Sequence, residues 1–326
     1  MLRRTRRTLW IIAAVLLVLA AAIYLRFKAP PEAARLLPES DGIVYVNMRP
    51  LRALIHKNLK PITRAPDYQS FIDATGIDWE RDLQEAAVAL HRMPDPRGPN
   101  GPVAYSMVLV GTVDGKRLAA YLEAHATNKE SYAGHTVYSL PSDGRTVRVT
   151  QIAYDMVAIS NYPSTEQIHS MLDRHRTAAL PFSGSTLLAE HYSEMPLLSV
   201  AWGMGQIGLP FSENGSIQVF GMELPVEPDT TFLASVTLTL KLRVVEIAPT
   251  EAAAAGQAAN LNLLLDVARN ATAGLGQSAA NDSLKEVLRT AQIAQHRNQV
   301  VANASLPKNL PAELLNGVSA STGDSK

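Results

Sequence analysis

The chain has 326 residues, with 30 Lys and Arg against 30 Asp and Glu, 8 His and no Cys. The missing cysteines exclude disulfides, thiol nucleophiles, Cys-ligated zinc, iron–sulfur clusters and a lipid-modified N-terminal Cys. A hydrophobic share of 47% with 6% aromatic residues excludes a disordered or collagen-like chain.

The zero net charge averages two unlike parts. Residues 1–28 hold Arg3, Arg4, Arg6, Arg7, Arg26 and Lys28 and no acid, which leaves 24 basic against 30 acidic residues beyond them. A body with net charge −6 repels phosphate backbones, so no nucleic-acid partner is expected. Residues 9–25 then run for 17 positions without a charge. As a helix they span roughly 25 Å, the short limit for crossing a bilayer. Trp10 and Tyr24 stand near the two ends, and the heavier Arg cluster precedes the run. The expectation is a single-pass anchor in the cytoplasmic membrane, N-terminus in the cytoplasm and body outside. The alternative is a signal peptide cleaved near Ala22, with Ala20-Ala21-Ala22 as the small-residue site. Thr5-Arg6-Arg7-Thr8-Leu9 also resembles a twin-arginine export signal.

Residues 29–38, with Pro30-Pro31, read as a stalk joining the anchor of 1–28 to the body. The β-branched run 42–47 is a strand, and Pro50 starts a helix with Leu51, Leu54 and Ile55 on one face. Asp78 caps a turn leading to a strand at 86–90, and the Pro- and Gly-rich run 94–102 is an exposed loop. A strand at 104–111 precedes Asp114, the N-cap of a helix with Leu118, Tyr121, Leu122 and His125 along one side. Strands at 135–140, 146–153 and 156–160 and a helix at 165–176 complete a first subdomain, 39–180. The second, 181–312, has strands at 197–202, 216–222, 231–240 and 242–248. A long Ala-rich helix at 250–270 places Leu261, Leu264, Leu265 and Ala268 at core spacing. A helix at 283–291 and strands at 292–297 and 300–306 follow, and 313–326 read as a polar, disordered tail. The predicted class is α+β: an N-terminal transmembrane helix, then mainly antiparallel sheets in two subdomains with helices packed on one face.

The stretches SDGIVYVNMRPLR (40–52), VLVGTVDGKRLAAYL (108–122) and YAGHTVYSL (132–140), together with the N-terminal run, resemble uncharacterised bacterial envelope proteins with one membrane anchor and an exported α+β body. That resemblance implies location and architecture. It implies no activity and no catalytic residues.

Four motifs bear on chemistry. Gly203-Met204-Gly205-Gln206-Ile207-Gly208 matches G-x-G-x-x-G after a predicted strand, with Glu223 20 residues beyond Gly203. A dinucleotide site needs a helix there to meet the pyrophosphate, and Pro210 with the turn-forming 212–216 opposes one, so a bent strand is expected. His169 and Asp173 stand at i, i+4 on a predicted helix near His175 and His191, which is half a metal site without a third ligand. Ser183-Gly184-Ser185 lacks the nucleophile-elbow spacing, and Ser185 reads as an N-cap. Asp73, Asp78, Glu80, Asp82 and Glu85 lack the order of a calcium loop and read as carboxylates at helix starts. The sequons at Asn214, Asn270, Asn281 and Asn303 matter where the host glycosylates.

No catalytic residue is assigned, and no cofactor or metal is expected. The leading expectation is an exported, non-enzymatic binding or accessory protein of the cell envelope, with an envelope protein as partner and the membrane contacted through residues 9–25. One alternative is an exported hydrolase assembled from scattered His, Asp and Ser. Another is a carrier of apolar ligands, with a cavity between the 250–270 helix and the sheet. That helix also offers a docking surface, although packing on its own sheet is its default.

Overall fold

A computed structural model of the chain describes residues 12, 14–20, 24, 28–55, 64–142, 144–177, 184–206, 216–219, 222–225, 230–273 and 279–308. Numbered in chain order, a helical turn α1 (Glu32–Arg35) precedes β1 (Gly42–Asn47) and α2 (Met48–Ile55). Next come α3 (Pro66–Thr75), the turn α4 (Trp79–Asp82), β2 (Leu83–Arg92) and β3 (Val103–Gly111). α5 (Gly115–His125) leads to the meander β4 (Asn128–Tyr132), β5 (His135–Ser142), β6 (Arg145–Ala153) and β7 (Met156–Ser160). After α6 (Glu166–Arg176) and α7 (Thr186–His191) come β8 (Ser199–Gln206), β9 (Ser216–Val219), β10 (Met222–Pro225), β11 (Thr231–Thr237) and β12 (Lys241–Ile247). α8 (Glu251–Ala273), α9 (Ala279–Thr290), β13 (Gln292–His296) and β14 (Gln299–Ser305) complete the described fold.

Local chemistry accounts for several boundaries. Asp114 caps α5 by accepting from the Lys116 and Arg117 N–H groups, each at 3.1 Å. Asp78 does the same for α4 through the Glu80 N–H at 3.1 Å. Pro66 opens α3, where a missing N–H costs nothing, and Gly76 closes it at φ 74°, in the left-handed region that suits glycine.

Twelve strands form one sheet in the order β13-β14-β12-β11-β8-β1-β2-β3-β7-β6-β5-β4, and each pairing is antiparallel. One face carries Ile43, Ala89, Val108, Ala158, Met204, Leu233, Val245 and Val301 into a core with Ala33, Ala34, Leu36 and Leu37 around α1, Ile168, Met171 and Leu172 of α6, and Leu187 and Leu188 of α7. The other face is covered toward its two ends. At one end Tyr138, Val149 and Val157 meet Leu118 and Leu122 of α5 with Phe71 of α3. At the other, Val300 and Ile293 meet Ala254, Ala258 and Leu261 of α8.

Four expectations are corrected. First, no helix among the described residues is long and apolar enough to cross a membrane. Of the expected span, positions 9–11, 13, 21–23 and 25 lie outside the described residues. Second, helices cover both faces of the sheet. Val157 goes to the α5 side and Ala158 to the α6 side, and Val300 and Val301 divide in the same way. The unbroken apolar runs at 107–110 and 156–159 are the signature of two-sided burial. Third, there is one continuous large sheet across the expected subdomain boundary, because β8 pairs with β1 from Gly42↔Gly205 to Val46↔Ala201. Fourth, the expected stalk packs inside: Ala33, Ala34, Leu36 and Leu37 are 0–1% exposed. The strand expected at 216–222 is a separate hairpin, β9 and β10. The tail of 313–326 lies outside the described residues.

Candidate functional site

The sequence places His169 and Asp173 on α6, and the structure gives each its own partner from β4. The His169 ring stacks on Tyr132 at 3.7 Å with the planes 6° apart, and its Nε2 lies 2.9 Å from Glu130 Oε1. Tyr132 donates its hydroxyl to Asp173 Oδ2 at 2.8 Å. That hydrogen bond, with partial burial and the Asp173 charge, pushes the Tyr132 phenol above its ordinary value. Tyr132, His169 and Asp173 border an open cleft of about 600 Å³ with Glu166, Ser170 and Arg174. Arg174 is spent on Glu39 at 2.7 Å, and Glu39 Oε2 also accepts from the Thr186 N–H at 2.9 Å. Burial alone would raise the Glu39 carboxyl, but the Thr186 N–H and the Arg174 guanidinium outweigh it and hold the group below the usual range. His175 faces His135 at 6.4 Å and His191 lies 3.9 Å from Glu190. Among the described residues no three or more His, Cys, Asp or Glu converge as a metal site. The patch ties α6 to the edge strand. Sequence reasoning missed it because β4 (NKESY) lacks apolar alternation.

A second arrangement is more suggestive of chemistry. His91 Nε2 lies 2.9 Å from Ser106 Oγ, which lies 3.0 Å from Ser160 Oγ, a chain across β2, β3 and β7. His91 also hydrogen-bonds the Glu39 backbone; donation there leaves Nε2 to accept the Ser106 proton. Burial holds the imidazole below its usual value and so neutral. A base beside a hydroxyl is what nucleophilic catalysis requires. Here, however, His91 is 5% exposed and both serines 0%. The nearby Asp41 carboxylate accepts from the Arg92 N–H at 2.8 Å. The chain is a satisfied polar ladder inside the core.

The remaining motifs resolve structurally. Gly203 and Gly205 lie inside β8, and Gly208 lies outside the described residues. A Cβ on Gly205 would come within 3.1 Å of the Asp41 carbonyl and 3.2 Å of Gly42 Cα, so close strand packing requires the glycine. Glu223 belongs to β10. Ser185 caps α7 through the Leu188 N–H at 3.4 Å, while Ser183 lies outside the described residues. In the acidic stretch, Arg64 pairs with Asp78 at 2.8 Å and Glu80 at 3.2 Å, and Arg81 pairs with Asp82 at 2.7 Å. Ala254 and Ala258 of α8 pack directly toward the sheet, with Ala254 at 0% exposure, where the apolar carrier needs a cavity. Asn270 is exposed on α8 and Asn303 on β14, and Asn214 lies outside the described residues.

What the molecule presents outward is a rim. The registers put the end of β1 and the starts of β2 and β8 at one end of the sheet, with the end of β11, the start of β12 and the end of β14. There Leu197 is 64% exposed, Leu198 71% and Leu238 40%. The Leu238 N–H donates to the Leu198 carbonyl at 3.3 Å, which fixes the three leucines in one place. Leu198 stands at φ 68°, a left-handed conformation that costs a branched residue about 1–2 kcal/mol. Leu240, in the adjoining turn, stands at φ 57° and accepts from the Leu306 N–H at 2.7 Å.

No family model matches the chain, and no curated protein matches its sequence. Solved structures of TP0453 are distantly similar in fold. Crystal forms III and I share 11% identity at a TM-score of 0.44, over 89% of this chain and 99% of theirs. Crystal form IV shares 12% identity at 0.43, over 89% of this chain and 98% of its own.

Proposed function

We propose that the chain is a non-enzymatic binding or accessory protein of the cell envelope, its sheet body exported under the direction of residues 1–28. The observation that carries the binding role is the rim: three leucines held in solvent, one of them against its backbone preference. The hydrolase reading draws less support, since the described His–Ser chain is sealed from substrate. Export is supported by the order of the N-terminus, a basic cluster followed by an uncharged apolar run. Removal near Ala22 would leave the same body outside the cytoplasm. The body's excess of acid supports partners other than nucleic acid.

The test is photo-crosslinking in cells from a reactive side chain at position 198 of the full-length chain, with position 97, in the loop of the opposite rim, as control. Adducts from 198 and none from 97, recovered in the envelope fraction, are expected. A chain found in the cytosol, or equal labelling from both positions, overturns the proposal.

A further inference from the structure

The geometry points to an anionic lipid surface as the occupant of the leucine rim, an inference that rests on the rim being the contact surface. Exposed leucines alone would suit many partners; the charge beside them is more selective. Lys241 follows Leu240 directly and is exposed. Leu306, bonded to Leu240, leads through Pro307 to the exposed Lys308. One strand further, Thr290 Oγ1 accepts from the Ser305 N–H at 3.0 Å, which brings the end of α9 and its exposed Arg289 to the same rim.

Behind Arg289 opens a cleft of about 470 Å³ between α8 and α9, lined by Arg269, Thr272, Lys285, Leu288 and Arg289, three of them cationic and none acidic. Arg269 holds this corner in place. Its Nη2 donates to the Ala291 carbonyl at 2.7 Å and its Nε to the Leu288 carbonyl at 3.0 Å, while Nη1 meets Asp266 at 3.3 Å. Lys241, Arg289 and Lys308 are exposed at this rim on a body whose net charge is −6, while Asp266, Asp282 and Glu286 share α8 and α9 with Arg269, Lys285 and Arg289. Exposed apolar side chains flanked by the cations Lys241, Arg289 and Lys308 match the boundary between acyl chains and anionic headgroups. A protein partner with an acidic, apolar patch is the competing occupant, and the experiment separates the two.

The chain has no cysteine, so one introduced thiol reports from one site. Full-length protein carrying an environment-sensitive dye at Leu198→Cys is mixed with phosphatidylglycerol or phosphatidylcholine vesicles. The same dye at Arg97→Cys reports any membrane association that does not involve the rim. With phosphatidylglycerol, the emission from 198 is expected to move to shorter wavelength while that from 97 stays. The response should weaken in phosphatidylcholine and in high salt. Lys241→Gln and Lys308→Gln should each weaken binding about fivefold. Equal responses from 198 and 97, or no response from 198 on either vesicle, overturn the lipid assignment. A silent vesicle assay beside protein adducts from 198 in cells would replace lipid with a protein occupant and leave the proposed binding role standing.

Discussion

Replacing Leu37 by Ala separates a stalk from a core element. Leu37 is 0% exposed and belongs to the cluster that joins α1 to β2 and β3, so the substitution removes buried methyl groups that the neighbours can only partly replace. Such changes in a packed interior cost about 3–5 kcal/mol, from the lost transfer energy and the residual cavity. For a body of this size each kcal/mol lowers Tm by roughly 2–4 °C, so a fall of about 6–12 °C is expected at the lower end of that cost. Urea unfolding followed by circular dichroism should show a lower midpoint with an unchanged slope. Leu197→Ala, on the exposed rim, should stay within about 0.5 kcal/mol of the parent. Were residues 29–38 a spacer in solvent, the two variants would behave alike; Leu37→Ala within about 0.5 kcal/mol of the parent would refute the packing argument.

Burial of Glu246 raises its carboxyl from 4.5 to about 7. The unfolded chain therefore loses its proton first as pH rises, so the stability present below about pH 4.5 declines through pH 7 and levels off above it. Glu246→Gln should flatten that decline, by about 3 kcal/mol at most, in urea midpoints measured from pH 4 to 8. Gly205→Val should destabilise by about 1–3 kcal/mol, because its Cβ meets the Asp41 carbonyl at 3.1 Å. In a thermal-shift assay, NAD should leave the parent unmoved; a stabilising shift would revive the dinucleotide reading. Fluorophosphonate should leave Ser106 and Ser160 unlabelled by mass spectrometry, since both are 0% exposed.

Much of the element order is legible in the residues, because capping and hydrophobic patterning are local. Asp78, Asp114 and Ser185 announce their helices, and each side chain accepts an N–H of its own first turn. β4 escapes notice because an edge strand of charged and polar residues has no buried alternation to display. The stalk reading fails for a related reason. Prolines beside an Ala-rich turn look like a spacer, whereas burial of Ala33 and Leu37 depends on strands that lie more than 40 residues onward. The rim is hidden from any window, since Leu198 and Leu238 meet across 40 positions and a left-handed φ leaves no mark on a leucine codon. His91, Ser106 and Ser160 likewise converge through strand pairing alone.

The pairing of β1 with β8 also sets a timetable. β1 ends at Asn47 and its neighbour begins at Ser199, so one edge of β1 stays unpartnered while the intervening chain is made. At about 5–20 residues per second, that interval lasts on the order of 10–30 s on the ribosome. An open apolar edge over such a period invites holdase capture and delays collapse into the native sheet. The sheet can close only once β8 has been made.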